Sequence, residues 1–224
     1  TSFHLPFQNF TDNGFNTTSG FDIVATEANT VVTVTPTQDL IGHPAGVPFD
    51  ITLPFAGTTY SGRALGSGAS DHATGTIITS NLPVAVTVHD DSASGAMFGG
   101  GCLDLMGDQI VPDQVLGTEY VAVHGYLGGD DRLQIVATQN NTAVTVDGAT
   151  VATLQAGQSH SHTLNTPSAF IESSAPVAIW QSTGFGCELG GAQLPSVKCT
   201  GSTSTVFVRS TSETMRLNIL VPNG

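Results

Sequence analysis

The chain has 224 residues, 18 of them acidic and 5 basic, for a net charge of −13. That balance excludes nucleic acid, since nothing here could neutralise a row of phosphates, and it excludes attraction to an anionic membrane surface; no run of about 20 apolar residues exists to insert across a bilayer. Apolar residues make up 39% and charged residues only 10%, so this is a globular chain whose polarity comes from Thr, Ser, Asn, Gln and Gly, which suit exposed strand faces and turns.

In chain order, FHLPF (3–7) reads as a short opening strand, followed by DIVATEANTVVTV (22–34). Residues 37–72 come next, with Pro44, Pro48, Pro54 and the Gly-rich stretch 62–70. They read as a surface loop or an extra hairpin, with a binding loop as the sharper alternative. Strand-like segments then follow at LPVAVTV (82–88), CLDLMGDQIVP (102–112) and EYVAV (119–123). QIVATQNNTAVTV (134–146) matches residues 22–34 at nine of thirteen positions, at a constant offset of 112. Thr142–Val146 alternates, Val-Asp-Gly (146–148) is a hairpin turn, and Ala149–Leu154 returns. His160-Ser-His162, Ser168–Glu172 and Pro176–Trp180 continue the pattern, before CELGGAQLPSV (187–197), TVFV (205–208) and MRLNILV (215–221).

Four matching segments in the same order describe an internal duplication. The expected division is a first unit over 1–118 with its insertion at 37–72, a second over 119–204, and the start of a third copy over 205–224. That last stretch would pack back on the chain or be completed by another molecule. No window places apolar residues at i, i+3, i+4 and i+7 over three turns, so helix is minor. The fold class is all-β, with tandem antiparallel β-sandwich-like units; propeller-like blades are the alternative.

The segments around DIVATEANTVVTV, TSNLPVAV, CLDLMGDQIVP and GTEYVAV resemble, in order and spacing, the IgGFc-binding protein N-terminal domain family. The resemblance covers nearly the whole chain, twice over. It implies an extracellular or cell-surface adhesive or binding module. One departure is that the family's Cys soon after the "PVAV" strand is absent at Val88–Asp91 and at Gln181–Thr183. The His of its "D-H-L" is replaced by Leu105 and Gly190. Antibody Fc binding does not carry over on likeness of fold.

Three cysteines leave one unpaired if a single disulfide forms. Cys187 and Cys199 flank a turn-rich stretch and suit a local bridge that leaves Cys102 free; a Cys102–Cys187 link is the alternative. Acidic pairs at Asp90-Asp91 and Asp130-Asp131 in Gly-rich surroundings are the candidate metal ligands. The ion would be calcium, which takes six to eight oxygens; solvated turn acids are the alternative. Asp104 with Asp108 forms a further acidic pair. His160 and His162 share a strand face but lack a marked third ligand. No catalytic motif stands out, so no catalytic residue is assigned and an enzyme is not expected. The expected function is a non-catalytic extracellular binding module for a protein or glycan ligand. Two alternatives stand: a structural subunit that assembles copies of itself through strand edges, and, more remotely, a polysaccharide-active enzyme.

Overall fold

The computed structural model describes residues 1–98, 101–125, 129–186, 188–199, 212 and 217–221. The stretch shared by 22–34 and 134–146 builds the same turn twice. Asn29 and Asn141 both hold φ at 59°, a left-handed conformation that Asn tolerates better than branched residues do. The next residues, Thr30 and Thr142, donate their hydroxyls back to Glu27 O and Gln139 O, both at 2.8 Å. Thr26 and Thr138 donate to Pro83 O and Pro176 O at 2.7 and 2.6 Å. The residues identical between the two stretches are thus the ones that close the turn and tie it to the neighbouring strand.

Strands β1 (Ser2–His4), β2 (Ser19–Ala25), β3 (Thr30–Thr35), β4 (Phe49–Leu53), β5 (Thr59–Arg63), β6 (Ile77–Ser80), β7 (Val84–Ser94) and β8 (Leu103–Ile110) form the first half. They make two four-stranded sheets, in the orders β1-β6-β3-β4 and β5-β2-β7-β8. The second half contains β9 (Gly117–Val123), β10 (Asp131–Ala137), β11 (Thr142–Val146), β12 (Ala149–Leu154), β13 (Ser159–Leu164), β14 (Ser168–Phe185) and β15 (Glu188–Gln193). The same two orders recur there as β9-β14-β11-β12 and β13-β10-β14-β15. The single long strand β14 does the work of both β6 and β7, with a register shift between Glu172 and Val177. Ile23 pairs with Val86 in the first half, and Ile135 with Ile179 in the second.

Alternation along these strands sends one set of side chains inward. Phe21, Ile23, Val86 and Val88 meet Val32, Val34 and Ile78 from the facing sheet in one core. Leu133, Ile135 and Ile179 meet Val144, Val146 and Ile171 in the other. Each half is therefore a sandwich with its core between two sheets, not a blade. Among the described residues the only helical segments are short 3-10 turns, and no helix is long and apolar enough to cross a membrane. The stretch 37–72 contains β4 and β5, the counterparts of β12 and β13, so the residues added relative to the second half are confined to the loops flanking this strand pair.

The halves are joined side by side. Trp180 of β14 and Leu189 of β15 belong to the first half's core, and the Trp180 ring meets Phe7 edge-on at 4.8 Å between centroids. Cys102 is disulfide-bonded and Cys199 carries a free, exposed thiol. This corrects the expected Cys187–Cys199 bridge. Of the three cysteines it leaves Cys187 as the one available to Cys102, and Cys187 lies outside the described residues. The expectation favoured the local pair on the ground that equivalent repeat positions sit far apart, and here the equivalent strands β8 and β15 are neighbours. Most of 205–224 also lies outside the described residues; residues 217–221 are exposed and belong to no strand.

Candidate functional site

On β7, Val86, Val88 and Asp90 point inward while Thr87, His89 and Asp91 point outward. The adjacent acids Asp90 and Asp91 are thereby sent to opposite faces of one sheet and share no coordination sphere. Asp90 is fully buried and accepts from Gln8 Nε2 at 2.6 Å and from the Asn13 side-chain amide. Burial pushes its carboxyl above the usual range, opposed by nearby His72 and by the bonds from Asn13 and Gln8.

His72 completes this buried knot. The Asn13 amide nitrogen is spent on Asp90 and on Asp91 O, so its oxygen is the atom that faces His72 Nε2 at 2.8 Å. His72 Nδ1 faces a second acceptor, Gln8 O, at 2.9 Å. Both ring nitrogens are thereby engaged by polar partners inside the chain, and the Asp90 carboxylate lies 3.9 Å from Nε2. The knot pins residues 8–13 to the end of β7 and presents no ionisable group to solvent. Its role is structural.

Asp130 is exposed, while Asp131 is fully buried at the start of β10. Asp131 Oδ2 accepts from Gly125 N at 2.8 Å and Gln181 Nε2 at 2.7 Å. Asp90 and Asp91 lie on the first half's sheet, Asp130 and Asp131 beside β10 of the second. Among the described residues, no three His, Cys, Asp or Glu side chains converge as a metal site requires. His160 and His162 lie on the edge strand β13 with ring centroids 6.4 Å apart.

The outward face of the β5-β2-β7-β8 sheet is the open one. Asp22 of β2 accepts the Ser61 hydroxyl from β5 and stands 3.5 Å from His89 Nε2 of β7. Arg63 of β5 reaches Asp91 at 3.3 Å, with both groups more than a third exposed. Glycine at position 20 lets the His89 ring lie against β2, since a Cβ there would come within 2.9 Å of it. With Thr87 and the 75%-exposed Leu105, these residues line a shallow cavity of about 380 Å³. The Ser61 hydroxyl donates to the Asp22 carboxylate and not to the His89 imidazole, so the hydroxyl–imidazole pair of a Ser-His-Asp triad is not assembled on this face.

The equivalent face of the second half is spent internally. Gln134 stands where Asp22 does, Trp180 where Thr87 does and Ser182 where His89 does, and all three are buried. Trp180 Nε1 donates to Ser182 Oγ at 2.9 Å. Aligning the two copies exposes this contrast in the sequence itself. Its meaning depends on knowing which face docks, and neither Asp22 nor His72 is singled out by spacing alone.

A family model described as IgGFc binding protein matches residues 1–223. No curated protein matches, and no solved structure does.

Proposed function

The chain belongs to the IgGFc-binding protein family, and on that premise we propose that it is a non-catalytic extracellular binding module that captures a protein ligand on the outward face of its first β5-β2-β7-β8 sheet. One observation carries this reading. The same face is buried and committed to the neighbouring half in the second copy, and polar, charged and open in the first. The exposed Arg63–Asp91 ion pair contributes little stability, and the polar Asp22–His89 contact lies on the same face. Arranged on a rigid sheet, they offer orientation-specific partners for a ligand's own charges. The neighbouring exposed Leu105 adds an apolar contact of the kind interfaces bury. The β8 and β15 edges are less available for assembly of copies, because Asp104 and Asp108 of β8 accept backbone N–H groups of β15.

The test immobilises the full chain and passes over it antibody Fc, the ligand in the family's name, and a panel of secreted glycoproteins. We expect a saturable, salt-sensitive complex, weakened at least tenfold in an Arg63→Glu, His89→Ala variant that melts like the wild type. A saturable complex indifferent to those substitutions overturns the assignment of the face. Turnover of a peptide, ester or glycan by the purified chain, lost on one substitution, overturns the non-catalytic reading.

A further inference from the structure

A second cleft lies away from this face, where the two sandwiches meet. Asn9, Thr37, Gln38 and Ser70 from the first half and Gln158 and Ser159 from the second line a cavity of about 480 Å³, within the range of small-molecule sites, about 300–1,000 Å³. The seam beside it is fixed by backbone. Gly75 and Gly157 both hold positive φ, at 86° and 77°, and approach so closely that a Cβ on Gly75 would fall 1.8 Å from Gly157 O.

The lining is chemically selective. In a chain of net charge −13, it contains no carboxylate, ammonium or guanidinium group, and Leu154 is its one large apolar side chain. Small-molecule pockets are usually mostly apolar; this one excludes an apolar ligand, and it gives an ionic one no counter-charge. Both nitrogens of His72, which also lines it, are engaged with Gln8 and Asn13. Among the described residues, the side chains of Asn9, Gln38, Ser70 and Ser159 make no hydrogen bond to the rest of the chain. Amide and hydroxyl side chains each combine donor and acceptor, as a sugar hydroxyl does, so a ligand dense in hydroxyls can satisfy them together. We propose that this seam cleft is a subsite for a neutral oligosaccharide, independent of the charged outer face. No Phe, Tyr or Trp ring lines it, and neutral hydrogen bonds exchange against water at small net gain, so a single site binds with a Kd on the order of 1 mM.

The experiment titrates the full ¹⁵N-labelled chain with maltohexaose, N-acetyllactosamine and 3′-sialyllactose, and with a Gly/Ser peptide of similar size. We expect saturable shifts centred on Gln38, Gly157 and Gln158 with at least one neutral sugar. A Gln38→Ala, Gln158→Ala variant, both positions being exposed, is expected to weaken binding at least fivefold, and Ser159→Tyr to abolish it by filling the cleft. The Arg63→Glu, His89→Ala variant is expected to bind the sugar unchanged, which separates this result from the fate of the outer face. No saturable neutral sugar, equal affinity in the Gln38/Gln158 variant, preference for the sialylated sugar, or stronger binding of the peptide each overturns the proposal.

Discussion

Asp104 on β8 accepts the backbone N–H of Leu189 on β15 at 2.7 Å, and four residues along both strands Asp108 accepts that of Gln193 at 3.0 Å. Both links span 85 residues, so the two strands run alongside each other in the same direction with equivalent repeat positions face to face. Carboxylates replace a backbone ladder here, and they cap N–H groups that would otherwise form an open sheet edge. Bonds to a charged group contribute about 1.5–3 kcal/mol, less where partly solvated. An Asp104→Ala, Asp108→Ala variant is expected to lose about 2 kcal/mol in denaturant unfolding. Each single change is expected to cost less than the pair, and an unchanged midpoint in the double variant would reject the capping role.

Cys102 and Cys187 stand at the same separation, which is why the link between equivalent positions is the feasible one. Non-reducing peptide mapping is expected to return a Cys102–Cys187 peptide and a Cys199 that alkylates in the native protein. Closing a loop of this length contributes roughly 4.5 kcal/mol on the chain-entropy account, so Cys102→Ser is expected to lower the melting temperature clearly and Cys199→Ser to leave it unchanged.

Much of the fold is legible from residues that repeat. Thr26, Asn29 and Thr30 recur as Thr138, Asn141 and Thr142 because the same turn needs the same hydroxyls and the same left-handed Asn. Alternation gives the inward faces of β2, β7, β10 and β14. The same alternation, applied to Asp90-Asp91, already separates the two acids that adjacency suggests as joint calcium ligands. The cysteine pairing is not legible, because it depends on how one half lies against the other. Nor is the buried His72–Asp90 pair, whose members are brought together by the path of residues 8–13 across the end of a strand.

Trp180 is the only tryptophan, and it is fully buried against the first half although it belongs to the second. Truncating a buried Trp typically costs about 3–5 kcal/mol. Trp180→Ala is expected to fall in that range by chemical denaturation, and Trp180→Phe to lose much less. The native fluorescence of Trp180 is expected to be blue-shifted and to report the joining of the two halves. A Trp180→Ala chain with wild-type stability would show that the seam does not hold the sandwiches together.

The His72–Asp90 pair predicts coupling. Asp90→Asn removes the carboxylate that accepts from Gln8 and Asn13 and sets one amide against another there; leaving a buried polar group unsatisfied costs about 1–3 kcal/mol. His72→Gln is expected to be destabilising as well. The double variant should be less destabilised than the sum of the two, by at least 1 kcal/mol on a double-mutant cycle. Strict additivity would show that the two side chains do not act as a pair.

His160 and His162 supply the pH dependence. Their cross-strand partners Ile135 and Leu133 are core residues, which places both rings on the inward side at an open edge. Partial burial lowers the tendency of His160 to take a proton below the ordinary value of 6.5. His162 is lowered by the same burial and by His160, with Asp147 opposing. A group whose folded pKa is depressed binds more protons when unfolded, so stability rises with pH across that window. The contribution is fully present above about pH 6.5 and is lost as pH falls below it. Melting temperature is therefore expected to drop between about pH 7 and pH 5, with a shallower drop in a His160→Gln, His162→Gln variant. Because the variant keeps every carboxylate, the difference between the two curves isolates the histidine pair. Parallel curves over that range would mean that both rings titrate in the folded protein as they do in the unfolded chain.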